Sequence, residues 1–62
     1  MCLSTVYRNE KTPAAILMRN VTQVRCLEVR VVLTDLMDNE LTIEGWLEEA
    51  NLVDGFVIIR SN

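Results

Sequence analysis

Two cysteines, Cys2 and Cys26, are the only thiols of this 62-residue chain, and the sequence contains no histidine. Without histidine the chain lacks the usual general base near neutral pH and the commonest metal-binding side chain. A histidine-activated serine or cysteine nucleophile is therefore excluded. Gly45 and Gly55 are the only glycines, so no glycine-rich loop is available to cradle a phosphate. Carboxylates are plentiful but poorly paired. Glu48 and Glu49 are sequence neighbours, which in a strand point to opposite faces. Asp35, Asp38 and Glu40 supply oxygen donors for a hard cation, yet their spacing matches no calcium loop and no glycine turns the segment. A solvated turn is the plain reading of those three, and the chain as a whole reads as a non-enzyme.

The two thiols have different settings. Cys26 sits amid the apolar strand residues of VTQVRCLEV, where a free cysteine is expected to behave as a small buried hydrophobe. Cys2 has neighbours that no internal cysteine has. The amine of Met1, the amide nitrogen of Cys2 and the Cys2 thiolate can close fused five-membered chelate rings around one metal ion. Such a planar nitrogen and sulfur set suits nickel(II) or copper(II), whereas zinc prefers a tetrahedron. Loss of Met1 would still leave an amine and a thiolate on one residue. If two subunits bring these termini to a twofold axis, two thiolates and two nitrogens complete four-coordination, with one metal per dimer.

The elements that must position these residues are strands. Residues 2–8 alternate, with Leu3, Thr5 and Tyr7 on one face and Cys2, Ser4, Val6 and Arg8 on the other. NEKTPA, with the only proline, is a turn leading into AILMR, and Asn20 marks a corner. VTQVRCLEVRVVLT is too rich in β-branched residues for a helix and reads as two strands hinged near Leu27 and Glu28. DLMDNE is a turn, and LTIEG resumes the alternation with Leu41 and Ile43 inward. In WLEEANLV, Trp46, Leu47, Ala50 and Val53 recur at helical spacing, so the segment taken alone reads as helix. Asp54-Gly55 predicts a tight hairpin before the strand FVIIR. The whole predicts an all-β single domain over 1–62, a small curled antiparallel sheet or an SH3-like barrel.

A core of this size contributes only about 3–5 kcal/mol, so a homodimer is the expected state. The longest apolar runs, AAILM and FVII, are far shorter than the ~20 residues of a membrane helix. No basic segment leads into an apolar one near the start, so no secretory signal is visible and a cytoplasmic location is expected. In that compartment the thiols are expected to be free or metal-bound. The formal charge is −3, with five bases and two acids in residues 1–31 but seven acids and one base, Arg60, in the remainder. This segregation supports an alternative, an RNA-binding barrel using Arg8, Arg19, Arg25 and Arg30 on one face. The net negative charge opposes it, and Tyr7, Trp46 and Phe56 form no basic aromatic cluster, so each is expected in a core or interface.

The opening MCLSTVY, the MRNV corner, VRVVLTDL, IEGWLEEANLV and the closing FVII strand resemble the CooT family of small nickel-binding proteins. The resemblance covers nearly the whole chain, with its specific part in the Met-Cys-Leu start. It implies a curled β fold, a homodimer, and nickel(II) bound through the cysteine after the initiator methionine, here Cys2. It also implies a role in nickel supply to carbon monoxide dehydrogenase, and an extended conformation for WLEEANLV. On that basis WLEEANLV is expected to be a strand.

Overall fold

A computed structural model describes residues 3–62. Its six strands are β1 (Ser4–Arg8), β2 (Ile16–Cys26), β3 (Arg30–Asp35), β4 (Glu40–Glu44), β5 (Trp46–Asn51) and β6 (Phe56–Arg60), with one 3-10 turn at Pro13–Ala15. The all-β expectation holds. The strands form one sheet in the order β4-β3-β2-β1-β6-β5. Four pairings are antiparallel, and β1 runs parallel to β6, with Thr5 opposite Phe56 and Arg8 opposite Ile59. The sheet is therefore mixed, because the first strand and the last meet side by side at its centre.

The two edge strands explain the curl. β4 and β5 lie at opposite edges of the sheet, yet only Gly45 separates them in the chain. The edges must therefore approach one another at that end, which a flat sheet forbids. No ladder joins β4 to β5, so the sheet is curled and not closed into a barrel. Gly45 sits at φ +149°, and a side chain there would run into the backbone carbonyl of Arg60. Only glycine suits both the angle and the close approach. Its N–H donates to the Val29 carbonyl at 3.0 Å, which ties the edge junction to the β2–β3 hairpin.

The concave face buries Val6, Val21, Val31, Leu33, Ile43, Val57 and Ile59, with Leu17, Met18, Val24 and Leu41 packed around them. The period-2 pattern accounts for most of these, since Val31 and Leu33, or Val57 and Ile59, stand two apart on one strand face. β6 lies between β1 and the edge strand β5, and its Phe56 and Ile58 are buried as well. Over Phe56 lies the loop after β1, whose Lys11 ammonium stands 4.2 Å from the ring centroid.

Two local expectations change, at Asn20 and at Asp54-Gly55, and the strand expected for WLEEANLV holds. Asn20 does mark a corner, but as a bend at φ +56° inside the continuous 11-residue β2, with register shifts on both sides, and not as a strand end. Asn tolerates that left-handed conformation better than most residues. WLEEANLV contributes the strand β5 and no helix, in agreement with the extended conformation expected from the resemblance. Asp54-Gly55 does not make a two-residue hairpin. Four residues, 52–55, join β5 to β6, closed by the Gly55 N–H donating to the Asn51 carbonyl at 2.9 Å. The Asn51 side-chain oxygen accepts from the N–H groups of Val53 and Asp54, so the loop is built on an Asx turn.

Candidate functional site

Met1 and Cys2, the predicted metal ligands, lie outside the described residues, and the structure defines the platform that follows them. Val6 and its neighbours hold β1 at the centre of the sheet, bonded to β2 on one side and β6 on the other. The Thr5 N–H donates to the Gly55 carbonyl at 3.0 Å, which anchors the start of β1 to the 52–55 loop. Ser4 is buried and stands opposite Val21. Beyond Val21, β2 continues through Cys26 alongside β3 and so overshoots the start of β1.

That overshoot leaves an apolar cleft of about 260 Å³, lined by Ser4, Val24, Cys26, Leu47, Ala50 and Leu52 among others. Cys26, expected to be buried, is an exposed free thiol. It lies at the end of β2 next to the hairpin turn, where β3 flanks it on one side and β1, whose Ser4 pairs with Val21, no longer flanks it on the other. Ser4, two residues after Cys2, opens on the same cleft.

The acidic residues resolve as the plain reading had it. The Asp35 carboxylate accepts the N–H groups of Met37 and Asn39, both at 2.9 Å, and the Asn39 side-chain amide at 3.1 Å. These bonds, the Asn39 side chain first, hold its pKa below the usual aspartate value. Asp35 therefore caps the β3–β4 turn. Glu48 occupies the register shift of β5 and accepts from Arg60 Nε at 2.8 Å and also from its Nη2. Among the described residues no three histidine, cysteine, aspartate or glutamate side chains gather into a metal site. No described helix is long and apolar enough to cross a membrane.

Arg8, Arg19 and Arg25 are exposed, as is Arg30 at the start of β3. Arg19 and Arg25 are separated along β2 by about 20 Å at the usual rise per residue. Of the aromatic residues Phe56 is buried, Tyr7 is half-buried and Trp46 is 53% exposed. Trp46 borders a second cleft, at the Gly45 end, together with Glu28, Val29 and Glu44. Sequence reasoning missed that grouping, because Glu28 and Trp46 come together only through the curl of the sheet.

Fold and surface define a small curled β-sheet domain whose N-terminal strand is its central strand and whose acids serve turns, an ion pair and strand ends. A family model described as CO dehydrogenase accessory protein CooT matches residues 1–60. The chain belongs to that family, a family of accessory proteins and not of catalysts. No curated protein matches the chain.

Proposed function

We propose that this chain carries nickel for carbon monoxide dehydrogenase, binding one nickel(II) ion per homodimer in the cytoplasm through two Cys2 thiolates and two nitrogens from the N-termini at Met1 and Cys2. The observation that carries the reading is the family match, which starts at residue 1 and so includes the Met-Cys opening. The donor set supports it chemically, since amine, amide nitrogen and thiolate on adjacent residues form a planar chelate that nickel(II) accepts. The central position of β1 supports it too. A strand bonded on both sides supplies a firm base for the residues just ahead of it. Nickel is the cargo, and the protein's own contribution is a donor set that releases it when protonated.

Proton competition supplies the test. Each Cys2 thiol starts near a pKa of about 8.5 and must lose its proton to bind. Nickel affinity therefore rises with pH and falls steeply below about pH 6. Nickel titrations at several pH values, followed through thiolate charge-transfer absorption, measure this directly. An affinity that stays flat between acid and neutral pH refutes thiolate ligation.

A further inference from the structure

We propose that the cleft at the Gly45 end docks an arginine- or lysine-bearing segment of a partner protein, with the cation held between the Trp46 indole and the carboxylates of Glu28 and Glu44. The cleft measures about 500 Å³ and is lined by Glu28, Val29, Glu44, Gly45, Trp46 and Asn62. It is built, because the Gly45 N–H bond to Val29 and the approach of Gly45 to Arg60 fix its floor against the hairpin on one side and β6 on the other.

Its chemistry is that of a cation receptor. Trp46 leaves half its surface open, and Val29 beside it is 64% exposed, so the cleft offers an aromatic and aliphatic wall. Arg60, the register partner of Trp46, has its guanidinium drawn to Glu48. The one cation over a ring among the described residues is Lys11 over Phe56, which leaves the Trp46 ring free. Glu44 stands opposite Arg30 in the ladder, yet among the described residues the one ion pair is Arg60 with Glu48. Neither Glu28 nor Glu44 has an ion-pair partner among the described residues. A guanidinium stacks on an indole and bridges carboxylates at once, and desolvation in a shaped cleft strengthens both contacts. The acidic second half of the chain adds attraction at long range.

The cleft and the N-terminal platform meet β6 at different points. Thr5 pairs with Phe56 at the start of β6, whereas the cleft lies beyond Arg60 at its end. The titration below uses metal-free protein, so the proposal stands or falls independently of nickel.

Trp46 is the sole tryptophan, so its fluorescence reports the site directly. Metal-free full chain is titrated with a hexa-arginine peptide, with hexa-glutamate as control. The expected result is a saturable change in Trp46 emission with hexa-arginine alone, weakened about five-fold or more in Glu28→Gln/Glu44→Gln. The charge-matched pair Glu10→Gln/Glu40→Gln, away from the cleft, should keep the parent affinity. Equal weakening by both pairs would show attraction to net charge only and overturn the proposal, as would the absence of any emission change. Self-association that depends on Glu28 and Glu44, without a peptide response, would assign the cleft to a second copy and likewise overturn it.

Discussion

Replacing Gly45 with alanine probes the single-residue link that makes the sheet curl. The added Cβ meets two obstacles, a φ of +149° that L residues avoid and the Arg60 carbonyl lying where the methyl must go. The backbone conformation costs about 1–3 kcal/mol. Pushing the end of β6 aside costs about 1–3 kcal/mol more, by analogy with overpacked sites. The sum, about 4 kcal/mol, is comparable with the ~3–5 kcal/mol that a core of this size supplies. Urea unfolding followed by far-UV circular dichroism and Trp46 fluorescence should therefore show a variant largely unfolded without denaturant, or with its midpoint lowered by several molar at an m-value of about 1 kcal/mol/M. Gly55→Ala is the internal comparison. Its φ is +78°, but a Cβ there meets only the Leu3 carbonyl oxygen at 3.5 Å, an ordinary contact. That variant should lose about 1–2 kcal/mol, the cost of the left-handed conformation alone. A Gly45→Ala variant within about 0.5 kcal/mol of the parent, or less damaged than Gly55→Ala, would refute the reasoning.

Other expectations follow from the core, the turns and the thiol. Leu33→Ala, at a fully buried site on β3, should cost about 2–5 kcal/mol in urea unfolding, and a loss under 1 kcal/mol would mean that the core is not where the structure puts it. Asp35 has a lowered pKa, so its carboxylate stabilises the turn above the ordinary aspartate value and loses that contribution as pH falls through the lower folded value. Asp35→Ala should accordingly lower the urea midpoint at pH 7 and make a smaller difference in strong acid; an equal difference at both would contradict the capping role. In Cys2→Ser protein the remaining thiol of Cys26 should react with a thiol reagent in the folded state at a rate within about ten-fold of that in urea. Strong protection would restore the buried position that its sequence context suggested.

Much of the fold was legible because period-2 patterning survives wherever a strand has one buried face, as in Ser4 and Val6 or Leu41 and Ile43. It failed in β5 for a physical reason. The strand lies at the sheet edge, its register shifts between Leu47 and Glu49, and Trp46–Ala50 are exposed on both faces. A one-residue shift inside an alternating strand turns spacing of two into spacing of three and four, which imitates a helix. Asn20 illustrates the same limit, since a bulge and a strand end carry the same local residue signal. The parallel pairing of β1 with β6 was invisible, because it joins the two ends of the chain and depends on the edges meeting at Gly45. Cys26 was misplaced because apolar neighbours in sequence say nothing about where β1 stops covering β2. The candidate ligands Met1 and Cys2 were read from donor chemistry and from resemblance, while the structure adds the central strand that follows them.

The most direct test of the nickel reading is the stoichiometry of nickel binding to protein beginning at Met1, without an N-terminal tag, in parent, Cys2→Ser and Cys26→Ser forms. The account predicts saturation at one nickel per two chains, abolished by Cys2→Ser and retained by Cys26→Ser. Binding that is indifferent to Cys2, or no tight binding by the parent, would contradict it.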